Sequence, residues 1–292
     1  MTLNYAGATD LRLDVGAYQN VATTPGAGCT APPNCSRLPY PYIHPTYYDN
    51  GIGKGYYHAF EFSLRKASDH LSYIISYTWS KMEDLGSDGW YGAEGTSVEN
   101  PYNLRNDKSV AGFSQKHIFS GSWVYKLPFG TGQKFETHNR VLDYVLGPWA
   151  FNGILSLSSG IPFTLSAPAQ IPNTGNIWER PNYTGQPLGV ANRSHAKWFN
   201  TAAYQAPPPY TFGNVGRNSL VADWPRDLDL SVFRTFPIRE STSLEFRAEA
   251  FNFTNSVVWG TPDASVTDSS FGAITSTQNT PRQIQFALKI YF

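Results

Sequence analysis

Few side chains in this 292-residue sequence combine the type and the spacing that chemistry requires. Cys29 and Cys35, the only two cysteines, sit among Pro32, Pro33 and Pro39. They read as a small disulfide loop in an oxidising compartment, or as free or metal-binding thiols. Without histidines at ligand spacing they make a poor zinc pair, and the disulfide is the expectation. Asp84, Asp88 and Glu94 faintly suggest a calcium loop, but its third position is Gly86 and its twelfth Gly95, so a solvated acidic loop is expected. The six histidines (His44, His58, His70, His117, His138, His195) show no i,i+4 pair and no His-Glu motif. Leu157-Ser158-Ser159-Gly160 lacks the glycine that precedes the serine of a nucleophile elbow. Neither catalysis nor a resident metal or cofactor is therefore expected. Trp90, Tyr91, Trp178, Trp198 and Tyr210 fall between the regular segments. Aromatic, Asn-rich loops bind saccharides or peptides by stacking and hydrogen bonding, or they bury their rings against one another.

The elements that must carry these residues are strands. The chain is 15% aromatic and only 15% charged, against about 25% charged in ordinary globular domains. Tyr (18) and Phe (18) far outnumber Met (2), and Gly (25) and Pro (21) are plentiful, a mixture that suits strands and turns. Zero formal net charge argues against a nucleic-acid partner, which needs a basic surface. No run approaches the roughly 20 apolar residues of a membrane helix, but β-barrel strands are only half apolar and leave no such run.

Period-two alternation runs through 56–66, 71–80, 117–127, 149–159, 227–232 and 244–250. At the end of the sequence, Ile284, Phe286, Leu288, Ile290 and Phe292 occupy one face of a strand, against Gln283, Gln285, Ala287, Lys289 and Tyr291. With Leu3 to Gly7, which looks like the tail of a strand already under way, this predicts about eight strands of roughly ten residues. Long segments (8–54, 81–113, 160–225 and 255–281) alternate strictly with shorter ones (66–70, 128–146 and 237–242). A compact soluble domain seldom carries such loops, whereas outer-membrane barrels pair short periplasmic turns with long external loops. Counting back from Phe292 at the periplasmic rim places all the long loops outside. Large apolar and aromatic residues form the predicted lipid face. Small polar residues line the other, which suits an arc of a wide barrel better than a filled eight-stranded one. No basic and then apolar leader opens the sequence, so a C-terminal piece of a longer exported protein is expected.

Segments along nearly the whole chain carry a family likeness. They include Tyr57-His58-Ala59-Phe60-Glu61-Phe62, Ser76-Tyr77-Thr78-Trp79-Ser80-Lys81, and Lys126-Leu127-Pro128-Phe129-Gly130. Further on come Ser159-Gly160-Ile161-Pro162-Phe163-Thr164, Gly216-Arg217-Asn218, Phe246-Arg247-Ala248-Glu249-Ala250-Phe251-Asn252 and Pro281-Arg282-Gln283-Ile284-Gln285-Phe286. In their order and spacing they resemble the C-terminal barrel portion of a TonB-dependent outer-membrane receptor of the Oar-like group, which carries a carboxypeptidase-regulatory-like domain. The resemblance implies a large barrel, an N-terminal plug and energisation by the TonB complex. Its partners would be outer-membrane lipid, the rest of its own barrel and plug, and the barrel-assembly machinery that reads a terminal strand ending in Phe. The expected fold over 1–292 is thus all-β, an antiparallel transmembrane β-barrel portion forming an open or partly closed curved sheet. A passive porin, an adhesive outer-membrane protein and a secreted glycan-binding β-domain are the alternatives.

Overall fold

The structure, a computed structural model, describes residues 1–86, 98–130, 132–136, 139–147, 149–177 and 179–292. Its frame is an antiparallel meander of eight long strands: β1 (Thr2–Gln19), β2 (Thr46–Lys66), β3 (Leu71–Asp84), β4 (His117–Lys126), β5 (Ala150–Ser158), β6 (Arg226–Arg239), β7 (Thr242–Phe251) and β8 (Gln283–Tyr291). Each pairs with its neighbour in sequence, and β1 and β8 end the path with no further strand beside them among the described residues. The sheet is therefore open. A two-residue strand, Ser109–Val110, pairs with Glu83 and Asp84 at the top of β3.

Register converts alternation along each strand into faces across the whole sheet. Leu64, Ile75, Gly121, Leu155 and Leu228 follow one another from strand to strand. Leu230, Ala250 and Ile284, then Val232, Ala248 and Phe286, continue the same apolar face to the last edge. Aromatic rows border this band: Tyr5, Phe60 and Trp79 toward one end, and Tyr73 with Trp123 and Tyr125 with Phe151 toward the other. The opposite face carries a row of hydroxyls, Thr2, Ser63, Ser76, Ser120 and Ser156, which meets Asp227 on β6. A one-residue slip would exchange the two faces, so the apolar set fixes the register. A cavity of about 470 Å³ is lined jointly by Arg65, Ile74, Ser122, Asn152, Asp229 and Glu249, from six successive strands. Only the concave side of a curved sheet brings six strands around one space. The polar face is thus concave and the apolar face convex.

Two elements exceed what alternation predicts. β1 is an 18-residue strand rather than a short stub, and with β2 it rises above the rest of the sheet. Register shifts between Leu11 and Leu13 and between Leu13 and Val15, where Arg12 takes a φ of 61°, break the period there. The first long connection accordingly shrinks to 20–45. The connection 127–149 contains a helix, α1 (Arg140–Leu146), opened by Asn139, whose side chain accepts from the Val141 and Leu142 amides.

All four long connections leave from the same end of the sheet and fold together into a cap. Phe163, Leu165, Trp198, Phe199, Ala203, Tyr204, Val215 and Ala222 from the third connection, with Ile274 from the fourth, form one buried apolar core. Each large side chain so buried contributes about 1.5–3 kcal/mol. A smaller core joins Val15 and Ala17 of β1 to Val98 of the second connection. Gly160 is where the wall turns into the cap: its backbone passes against the Ala222 carbonyl, leaving no room for a Cβ.

Candidate functional site

The wall and the cap define the functional region from opposite sides. On the concave wall, Asp229 and Glu249 are the carboxylates bordering the 470 Å³ cavity, with Arg65 and Lys66 on its far side. Arg247 lies between Glu245 and Glu249, 3.2 and 3.3 Å away, and Gln285 of β8 donates to Glu249. Asn152 and Ser231, paired across β5 and β6, each keep a buried side-chain oxygen without a hydrogen-bond partner among the described residues. Such a surface offers donors and acceptors to a hydroxylated solute or to a polar protein face.

Beneath the cap core lies a buried ionic cluster. Arg180 bridges Glu99 at 2.7 Å and Asp107 at 2.6 Å, and all three side chains are nearly sealed from solvent. Arg217 pairs with Asp84 and donates through Nε to the Asp107 carbonyl at 2.9 Å. Asn176 donates to the Val98 and Glu99 carbonyls. These contacts tie the third connection to the second. Asn173 donates to Gly26 and Gly28, Arg37 donates to Asn173 and Thr24, and the Ala22 amide donates to Thr174, which ties the third to the first. The fourth joins through Ser166 with Ala264 and Val266, and through Trp198 with Gly272.

Electrostatics within the cluster are uneven. Burial pushes the Glu99 and Asp107 carboxyls up, and the Arg180 guanidinium opposes it. Burial alone would lower Arg180, but Asp107 and Glu99 overcome it and hold it above its ordinary value. Among the described residues Glu179 has no cation of its own, and both carboxyl oxygens are buried without partners. Its burial first, then the adjacent Glu99 charge, push its pKa up to about 9, against the pull of Arg180. Glu179 is consequently protonated at neutral pH.

On the convex side of the sheet a cavity of about 1080 Å³ opens between cap and wall, bordered by Phe60, Trp79 and Lys81 of the wall and by Val110, Pro162 and Val221 of the cap. Its mixture of aromatic, aliphatic and cationic groups suits an amphiphilic solute. Among the described residues, no three or more His, Cys, Asp or Glu side chains are grouped to hold a metal.

The residues singled out in the sequence fall in separate places. Cys29 and Cys35 are joined in a disulfide within the first connection, their Cα atoms 5.4 Å apart. Ile284, Phe286, Leu288 and Ile290 form an exposed stripe on the convex face of β8, and Phe292 projects beyond it. Trp198 is taken up by the cap core, where its indole donates to the Val221 carbonyl at 3.0 Å and Arg193 covers its ring. Tyr210 stays half exposed. Trp90, Tyr91 and Trp178 lie outside the described residues, as do Asp88, Glu94 and His138. Asp84 corrects the expectation of a solvated acidic loop: it is buried against Arg217, because a cation from 133 residues away folds over it. Spacing could not reveal this cluster. The one available hint is that two arginines occur as Glu179-Arg180-Pro181 and Gly216-Arg217-Asn218 within turn-rich segments.

None of the curated proteins matches the sequence. Among solved structures, the outer membrane transporter YddB from Escherichia coli aligns with 99% of this chain at 12% identity and a TM-score of 0.45. This chain spans 29% of that one. The profile of the outer membrane beta barrel domain matches residues 1–285. An apolar convex face bounded by aromatic rows is what lipid requires of such a wall. The chain belongs to the outer membrane beta barrel domain family, and its site is the bacterial outer membrane.

Proposed function

We propose that the chain forms part of the wall and the outer cap of a TonB-dependent receptor of the Oar-like group, which takes up an oligosaccharide, a peptide or a metal chelate. One observation carries the reading: a hydroxyl-lined concave wall lies under a cap knit from all four outer connections, in a sheet open at both edges. An arc of this kind needs further strands to close and leaves a lumen wide enough for a plug. Capture belongs to the cap, passage to the polar concave wall, and energy to the TonB complex acting through the plug. The barrel-assembly machinery engages β8. Transport without chemical change, rather than catalysis, is its work.

The reading is tested by extending the reading frame upstream and measuring uptake by the intact protein. A plug-encoding segment, with uptake lost when TonB is deleted, supports it. A stop codon and then a signal peptide, or uptake indifferent to TonB, points to a porin instead. An adhesive outer-membrane protein is the second reading, favoured by the exposed Tyr40, Tyr42 and Ile43 near the Cys29–Cys35 loop.

A further inference from the structure

The connection 127–149 lies at the periplasmic end, yet it is dressed differently from the two other connections there. Those two, Ala67-Ser68-Asp69-His70 and Glu240-Ser241, are polar. Helix α1 instead exposes Val141, Leu142, Tyr144, Val145 and Leu146 at 46–71% of their surfaces. Its acidic residue, Asp143, is turned inward and buried. For a helix standing in water this arrangement is inside out.

The helix is also fixed to one face of the wall. Tyr144 packs on Phe236 with ring centroids 5.7 Å apart, Phe236 meets Trp149 at 6.3 Å, and Trp149 meets Phe246 at 6.1 Å. Phe246 in turn stacks on Phe286 at 6.4 Å. Phe236, Phe246 and Phe286 belong to the convex, apolar face. Arg234, from that same face, is buried among Tyr144, Trp149 and Phe236 and donates to the Val145 carbonyl at 2.7 Å, holding the last turn of α1 in place. Trp149 donates to that carbonyl as well, at 3.1 Å.

From this continuity we infer that α1 is a membrane anchor lying in the periplasmic leaflet of the outer membrane, with phospholipid acyl chains as the occupant of its exposed face. The aromatic chain from Tyr144 to Phe286 makes the helix an outward extension of the lipid-facing wall. Val141, Leu142 and Val145 enter the boundary between headgroups and acyl chains, to a depth of about 5–10 Å. Tyr144 and Trp149 supply amphipathic rings at that level. The anchor fixes the height of the β4–β5 end of the wall in the bilayer and keeps a hydrophobic patch from the periplasm.

The test uses the protein in its full-length form, reconstituted in vesicles of phosphatidylethanolamine and phosphatidylglycerol. Both cysteines of these 292 residues are in a disulfide, so Val141→Cys and, as a control on the same side, Glu240→Cys, each introduced with any cysteine outside them replaced by serine, give one thiol for an environment-sensitive fluorophore. Val141 is 71% exposed, so labelling it leaves the wall intact, and heat-modifiable gel mobility verifies folding of both variants. Expected are a blue-shifted Val141 label that brominated acyl chains quench and aqueous iodide does not, and the reverse for Glu240. A Val141 label quenched by iodide as fully as the control overturns the inference. So does one shielded from both quenchers, which would mean that protein covers the helix.

Discussion

Glu179 is the residue whose chemistry departs furthest from its type. Its carboxyl pKa stands near 9 against an ordinary 4.5, so the folded cap holds a proton that the unfolded chain releases. The stability this supplies is complete below about pH 4.5 and is lost as pH rises toward about 9, with a slope of at most about 1.4 kcal/mol per pH unit. Glu179→Gln keeps the shape and removes the titration. Its cap amides should keep their hydrogen-exchange protection across that window, while the parent's protection falls. Equal pH dependence in the two proteins would show that Glu179 is charged or solvated. The neighbouring Arg180 tests the cluster from its other side. Arg180→Met strands Glu99 and Asp107 in a buried site without their cation, a loss of about 3–5 kcal/mol when one partner of a buried pair is removed. Limited proteolysis of intact cells should then cut within 160–225, which the parent cap resists. Unchanged resistance would mean that the apolar core alone holds the loops.

At the scale of the element, β8 shows most directly how one strand serves two media. Phe286 points into lipid and Gln285 into the lumen beside Glu249. Phe286→Arg should cost about 2–4 kcal/mol in folding into vesicles, the range for a cation near the bilayer midplane. Gln285→Arg, facing a carboxylate, should cost little. Equal costs would refute the assignment of faces. That alternation was readable in the sequence because a strand half in lipid needs a strict period of two. It was readable also in β2 through β7, where Phe60, Tyr77, Phe119, Leu155, Leu228 and Phe246 keep the period. Legibility failed where local rules do not decide the structure. The upper half of β1 escaped because irregular register around Arg12 breaks the alternation, and α1 escaped because seven residues are too few to show a helical period. The cap was hidden for a different reason: its decisive pairs, Arg180 with Asp107 and Arg217 with Asp84, join residues 73 and 133 positions apart. Nothing local in either partner announces the other, so the candidate site was legible as loops but not as a folded body.

On the scale of the whole molecule, the open sheet sets the strongest constraint. Backbone groups along the free sides of β1 and β8 face a region where each unsatisfied one costs several kcal/mol, so an open edge cannot stand in lipid. Two remedies exist: further strands that close a wide barrel, as the proposed receptor requires, or pairing with the edge of a second copy. They predict different behaviour for the 292-residue chain alone and for the same chain with upstream strands supplied. Alone in vesicles it should self-associate, and a cysteine at an exposed β8 position such as Phe286→Cys should cross-link to a second copy. With upstream strands it should run as a heat-modifiable monomer, and that cysteine should no longer cross-link to a second copy. A chain that is monomeric on its own, in which Leu3→Cys on β1 and Phe286→Cys on β8 cross-link to each other, would mean that the eight strands close by themselves. In that case the serines of the concave face would have to fill a narrow interior. An eight-stranded interior must be filled by side chains, and small hydroxyls leave it underpacked, which is why the wide barrel is the physically consistent outcome.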